Sequence, residues 1–230
     1  MTCLSIVIPV LNDADALQRV LRDLRDALGE RFLEADVLVV DGGSHDTSSA
    51  VARDGGARVL AAERGRATQL AAGVANAAAA WIWMLHADSR VDARAIDALW
   101  RVVATDAPAW GRFDVRLSGR GVLLRLVAWS MNVRSRITGI ATGDQGIFVH
   151  RALLDRVGGV PQQALMEDVE LSARLRRIAR PVCLRAAIVT SSRRWQTRGI
   201  VRTIALMWWL RALYALGVAP ARLERIYYGG

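Results

Sequence analysis

Three short segments of this sequence gather residue types that could manage a phosphate, a metal ion or a proton. The first is Asp41-Gly42-Gly43-Ser44, continuing into His45-Asp46-Thr47. A carboxylate followed by two glycines places an acceptor where a base or a ribose could lie; it reads equally as a loop whose Asp caps the next helix. The second is His86-Ala87-Asp88-Ser89. Asp88 is a hard oxygen ligand suited to Mg2+ or Mn2+, or a cap for the helix starting near Asp92. His86 is either its partner at the site or a hydrogen-bonded buried histidine. The third is Met166-Glu167-Asp168-Val169-Glu170, three acids ahead of Arg174, Arg176 and Arg177. That order complements a helix macrodipole, and the same acids are candidate proton acceptors. Two turn-rich segments, Gly143-Asp144-Gln145-Gly146 and Gly158-Gly159-Val160-Pro161, look like walls of a cleft. Arg66, Arg193 and Arg194 are candidate phosphate contacts, or arginines on a solvated basic face.

These residues need elements to position them. Leu4 to Val10 is a continuous apolar run, the mark of a strand buried on both faces. Leu17, Val20, Leu21, Leu24 and Leu28 have helical spacing, with Asn12 or Asp13 as N-cap. Strands are expected at Val37 to Val40, Ala57 to Ala61 and Trp81 to Leu85, with helices at Thr47 to Asp54 and Gly65 to Ala77 between them. Four strands alternating with helices at this spacing imply a parallel sheet with right-handed crossovers. In such sheets ligands bind beyond the carboxyl ends of the strands, where Asp41 and His86-Asp88 fall. Beyond residue 90 the pattern loosens. Helices are expected at Asp92 to Thr105, Val122 to Arg136, Glu167 to Ala179 and Gly199 to Gly217. Short strands are expected at Phe113 to Leu117, Gly146 to His150, Val182 to Leu184 and Ile188 to Thr190.

Of the 230 residues, 53% are hydrophobic and 23% charged, which supports a large core and excludes global disorder. Cys3 and Cys183 are too few for a disulfide scaffold, and His45, His86 and His150 form no zinc-spaced cluster. No window of about 18 residues is free of charge, so no membrane span is expected. The start of the sequence reads as a strand rather than a leader. All 31 basic residues are Arg, and they are unevenly placed. Residues 1–115 carry a net −4 and residues 116–230 a net +13, with no acid in 115–143 or 171–223. A basic half suggests phosphate on a nucleic acid, an anionic membrane surface or a small ligand. Arg and aromatic residues are not interleaved as a single-strand stacking platform requires, which argues against nucleic acid. No G-x-G-x-x-G follows a strand, which excludes a dinucleotide site. Pro9-Val10-Leu11-Asn12-Asp13 is not the Gly-rich basic loop that a nucleotidyltransferase would have after its first strand.

Taken in order, the three segments resemble family 2 glycosyltransferases of the GT-A fold. The resemblance implies an α/β fold with a Rossmann-like, mostly parallel sheet and an irregular acceptor-side second half. It implies a base-reading Asp41 with Gly43 and Ser44. It places His86-Ala87-Asp88 on the family's DxD-like metal motif, where the first acid is missing and only Asp88 carries over as ligand of Mg2+ or Mn2+. It places Glu167-Asp168 on the catalytic pair, with Asp168 as base. Arg64-Gly65-Arg66-Ala67 with Gln69, Leu85 to Asp88, Gly111-Arg112-Phe113-Asp114, Gly143-Asp144-Gln145 and Leu165 to Glu170 further resemble a short bacterial subfamily. That subfamily is named for its association with radical-SAM/selenodomain proteins and arsenosugar biosynthesis; it often has Asn where this chain has Ala71. Arg66, Gln69 and His86 are thereby implied at the donor. Asp144, Gln145, Arg194 and Trp195 are implied on the acceptor side. Processive members carry Gln-x-x-Arg-Trp, and here Arg194-Trp195 follows Ser191 in place of Gln.

The expectation is one domain over residues 1–230, with a nucleotide-binding half at 1–90, a metal and acceptor half at 91–198 and an apolar helix and tail at 199–230. It would move a sugar by inversion from a UDP-linked donor to a small-molecule acceptor hydroxyl, non-processively. The alternative is a non-enzymatic binder of phosphate-rich ligands or anionic membrane. A cytoplasmic protein is expected, with the C-terminal helix packed on its own core or a partner and touching the inner membrane face only peripherally.

Overall fold

The computed structural model describes residues 2–229 except 106, 120, 194–196 and 198. Its frame is β1 (Leu4–Val10), α1 (Ala14–Leu28), β2 (Ala35–Asp41), α2 (Ser48–Asp54), β3 (Arg58–Ala61), α3 (Arg66–Asn76), β4 (Trp81–Met84) and α4 (Ala93–Val103). There follow β5 (Trp110–Leu117), α5 (Val122–Thr138), β6 (Phe148–His150), α6 (Arg151–Arg156), α7 (Glu167–Ile178), β7 (Val182–Thr190), α8 (Ile200–Ala215) and α9 (Pro220–Tyr228). Among the described residues the seven strands form one sheet in the order β3-β2-β1-β4-β6-β5-β7. β6 is antiparallel to both its neighbours, while the other pairs are parallel. This is the α/β, mostly parallel sheet flanked by helices that the sequence pattern implied.

The apolar runs bury both faces of the sheet. Ile6, Ile8, Trp83, Phe113 and Phe148 point to the face covered by α1 and α4. Val7, Val40, Ile82 and Met84, their neighbours along the pleat, point to the face covered by α3 and α7. α3 approaches the sheet closely at Gly73, where a Cβ would overlap Val7 Cγ1 and lie 2.8 Å from Val40 Cγ2. This approach sets the height of α3, and hence of Arg66 and Gln69 at its first turns.

Several boundaries differ from the sequence pattern. Asp13 holds the N-cap position of α1 without a side-chain capping bond; the Ala14 N–H donates to Asp46 Oδ2 at 3.1 Å instead. Asp92 caps α4 as expected, accepting from the Ala95 N–H at 2.9 Å. β5 begins at Trp110, ahead of the alternating stretch, because side-chain-free Gly111 lets the Val182 carbonyl and the Phe148 ring come close. The two short strands expected after Pro181 are one strand, β7. Its register slips between Phe113 and Asp114 of β5, so Arg185 and Ala186 bulge out of the pairing. The short helices α6 and α9 were not apparent from periodicity.

α5, α8 and α9 add a second layer outside the sheet. α5 is fixed by Asn132, whose side-chain amide bonds both the N–H (2.9 Å) and the carbonyl (3.0 Å) of Val115. Fully buried Arg112 pairs with Asp114 and donates to the Asn132 carbonyl at 3.1 Å. α8 lays Ile200 and Ile204 on Leu124 and Val127 of α5, and Leu210 on Leu223, Tyr227 and Met166. Among the described residues no helix is long and apolar enough to cross a membrane. We expect Gly73→Val to lower stability by about 2–3 kcal/mol through overpacking, measured by urea titration; a loss below about 0.5 kcal/mol would show that α3 can move off the sheet.

Candidate active site

The carboxyl ends of β1 and β2 carry two loops that are stitched together. Ser44 Oγ accepts from the Asn12 N–H at 2.9 Å, and the His45 N–H donates to Asn12 Oδ1 at 2.8 Å. Asn12 takes a left-handed φ of 51° to make this exchange. Asp41 is buried beneath the loop, accepting from the Ser44 N–H at 2.8 Å and from the Ser49 hydroxyl. Burial pushes its carboxyl up, but hydrogen bonds from Ser49, Ser44 and Gly43 outweigh it and hold it below the ordinary carboxylate value. Gly43 turns this loop at a φ of 88°, with open space where a Cβ would be. Gln69 lies deeper, with its amide nitrogen donating to the Val10 and Val40 carbonyls, both at 2.8 Å. It ties the ends of β1 and β2 from below and does not line the cavity described next.

Past β4 the acids and arginines converge. His86 Nε2 lies 3.5 Å from Arg66 Nη1, and His86 Nδ1 lies 3.5 Å from Asp144 Oδ1. Arg66 pairs with Glu167 and reaches Asp168 Oδ2 at 3.6 Å. Burial works against the Arg66 charge, but Glu167 and Asp168 more than offset it and raise its pKa above the ordinary value. The Gly143 N–H donates to Asp168 Oδ2 at 2.7 Å. Any side chain at Gly143 would collide with the His86 ring, so that glycine lets the 143–145 turn close on His86 and Asp168 together. Ahead of α7, Met166 has a left-handed φ of 65°, which ends the incoming chain and starts the helix on the acids.

The two acids of the pair have different surroundings. Glu167 is buried to 3% exposure against Arg66. Asp168 lines a cavity of about 1140 Å³ together with Arg66, His86, Asp88 and Asp144. The capping segment before β6 holds Gln145 fully buried, its amide nitrogen donating to Ser135 Oγ at 3.0 Å. Gln145 therefore braces this loop against α5 and stands back from the cavity. Arg194 and Trp195 lie outside the described residues.

Two residues at the site gave no functional signal in the sequence. Asp13, read there as a helix cap, instead lies 3.5 Å from Arg193. Arg134 of α5 lines the cavity, and helical periodicity gave no reason to separate it from other exposed-face arginines. Burial pushes the Asp88 carboxyl up; His86 and Arg193 pull it down, while Asp144 and Asp13 add to the rise. Among the described residues no three His, Cys, Asp or Glu side chains are grouped to hold a metal ion by themselves. Asp88 crowded by two other acids nonetheless suits a hard divalent cation that takes its remaining oxygens from a ligand, as Mg2+ and Mn2+ do with phosphates.

A mostly parallel sheet with an acid-bearing loop after β4, an acidic helix start and a cleft between them defines a GT-A type glycosyltransferase scaffold. The chain belongs to glycosyl transferase family 2, whose domain matches residues 5–150. Comparison with curated proteins gave no match. Among solved structures it is similar to S. aureus TarS 1-349 in complex with UDP-GlcNAc, at 17% identity and a TM-score of 0.65, covering 83% of this chain and 58% of that one. It is similar also to the mannosyltransferase PcManGT from Pyrobaculum calidifontis in complex with GDP-Man and Mn2+, at 21% identity and a TM-score of 0.63, covering 91% and 60%. The glucosyl-3-phosphoglycerate synthase from Mycobacterium tuberculosis with Mn2+, UDP and glucosyl-3-phosphoglycerate shares 14% identity, with a TM-score of 0.58, covering 81% and 70%. The chain thus spans about three fifths of the length of the first two, and at these identities the likeness is one of fold.

Asp41 gives the site a pH signature. Its lowered pKa means that it stabilises the fold while ionised, above its unfolded value near 3.8, and that this stability is lost as pH falls through the lower folded value. Asp41→Asn should cost about 1–3 kcal/mol at neutral pH, measured by denaturant titration, with the gap from the parent closing below pH about 4. A gap that persists unchanged into strong acid would show that the carboxylate charge is not what holds the loop.

Proposed function

We propose that this glycosyltransferase moves a sugar, with inversion and non-processively, from a UDP-linked donor to an acceptor hydroxyl. The observation that carries the reading is the split between the paired acids: Glu167 is buried on Arg66 while Asp168 lines the cavity. In this reading Asp168 takes the proton as the acceptor oxygen attacks the anomeric carbon. The bond from that carbon to the diphosphate oxygen breaks, and the diphosphate leaves with the electron pair. One positioned base and one direct displacement give inversion. The Gly143 N–H and Arg66 orient the Asp168 carboxylate, and Glu167 positions Arg66.

Asp88, with His86 and Asp144 beside it, would hold Mg2+ or Mn2+, whose chemistry when bound is to neutralise the departing diphosphate. Asp41, Gly43 and Ser44 would frame the nucleoside at the neighbouring strand ends. The Arg64 to Gln69 and Leu165 to Glu170 motifs support the narrower subfamily and, by its naming alone, an arsenosugar setting. The exposed Trp208 and Trp209 of α8 support peripheral contact with an anionic membrane face.

Three measurements test this assignment. Calorimetry should show UDP binding that requires Mn2+ and that Asp88→Ala weakens about tenfold or more, the usual cost of disturbing a metal site. Asp168→Asn should slow hydrolysis of the bound UDP-sugar about 10²-fold or more while UDP binding persists. Glu167→Gln should instead lower stability by about 1–3 kcal/mol by leaving Arg66 without its carboxylate. Turnover of Asp168→Asn within a few-fold of the parent would move the base elsewhere.

A further inference from the structure

The cavity beside Asp168 is larger and more apolar than a site for a small polar sugar needs. One wall is α5, with Leu126 and Met131; the opposite wall is α8, with Ile204, Met207 and Trp208. Apart from the Trp208 indole N–H, these side chains offer a sugar hydroxyl no strong hydrogen bond, and a polar group buried there unpaired would be penalised. Where the walls meet the surface they stay apolar: Leu123, Leu126, Val201 and Trp208 line the cavity and are each more than half exposed. A contiguous apolar lining that runs from the interior to solvent marks a binding surface.

Arg134 breaks this lining near the acids. Arg134 lines the cavity, and its Nη2 is buried with no hydrogen-bond partner among the described residues. Burial depresses its pKa; Asp168 opposes that and Arg112 adds to it. A buried guanidinium nitrogen without a partner is costly unless a ligand supplies the acceptor. Arg66, Arg193 and Arg211 line the same cavity beside Asp88, Asp144 and Asp168, so an anionic head has further arginines to meet.

We propose that this cavity is the acceptor subsite and takes an amphipathic molecule, its phosphate or other anionic head held by Arg134 beside Asp168 and its hydrocarbon chain between α5 and α8. The inference rests on the reading of Asp168 as the base that receives the acceptor proton. The head group sets the hydroxyl near Asp168, while the apolar walls discriminate by chain length. A chain longer than the cavity leaves through the mouth formed by Leu123 and Trp208.

Calorimetry on the full chain with decyl phosphate below its micelle concentration, butyl phosphate, inorganic phosphate and octyl glucoside tests this. Decyl phosphate should bind about tenfold or more tightly than butyl phosphate, because each buried methylene adds affinity, and inorganic phosphate should bind more weakly still. Arg134→Met should weaken decyl phosphate about tenfold or more, leave octyl glucoside unchanged, and not lower the melting temperature, as a structural arginine would. Leu126→Gln with Trp208→Ser, at exposed positions, should abolish the chain-length preference. Equal affinity for inorganic and decyl phosphate would make this a site for a free anion and overturn the proposal. So would decyl phosphate binding that ignores Arg134→Met, or a chain-length preference that survives the mouth variants. UDP binding with Mn2+, measured on the same preparations, reports the donor half separately: its absence would sink the transferase reading of the strand-end loops without altering the alkyl phosphate results.

Discussion

The Arg66–Glu167 ion pair is the contact on which the site depends. Arg66 begins α3, in the first half of the chain, and Glu167 begins α7, deep in the second. The sheet seats both helices, α3 through the close approach at Gly73, and this guanidinium and this carboxylate join their starts directly. Arg66 also reaches Asp168 and His86. The charge that joins the two helix starts therefore also orients the groups that face the cavity. A buried carboxylate is far less costly with an arginine partner than alone. That asymmetry ties assembly of the site to assembly of the fold.

Adjacent residues can be assigned different tasks because a helix turn points them differently. Glu167 faces inward and is enclosed. Asp168, one residue on, opens to the cavity and receives the Gly143 N–H. The left-handed Met166 fixes where the helix begins and so decides which acid takes which position. Glu170, on the next turn, serves docking: it bonds Arg174 and the Tyr214 hydroxyl of α8. One acidic helix start thus supplies a buried anchor, a cavity-facing base candidate and a tether for the outer layer.

Much of this was legible in the sequence because burial on both faces leaves continuous apolar runs, and β1, β2 and β4 carry such runs. The strand-end positions of Asp41 and Asp88 followed from topology alone. What remained hidden depends on partners distant in sequence. Gln69 is indistinguishable from a donor contact until the Val10 and Val40 carbonyls are seen to engage it. Gln145 looks like a loop residue, yet it is the brace between the 143–145 turn and α5. Arg134 becomes visible only when α8 encloses it from the other side. Asp13 sat in a capping position, but the capping bond came from Asp46 across the loop. The short α6 and α9 have too few turns for periodicity to establish.

The antiparallel β6 has a consequence for how the molecule comes into being. During synthesis β1 to β4 emerge together and make a parallel sheet from neighbouring segments, yet β4 stays an open edge until Phe148–His150 has been made and slots against it. Until then the outer backbone groups of β4 lack partners, the state in which chains pair wrongly with one another. The strand that covers this edge is the one preceded by the Gly143 turn, so the same pairing sets in place the turn whose Gly143 N–H donates to Asp168. Covering the sheet edge and placing one wall of the cleft are thus one event, made through a contact of long sequence separation and correspondingly slow closure, and α7 and α8 add the remaining walls.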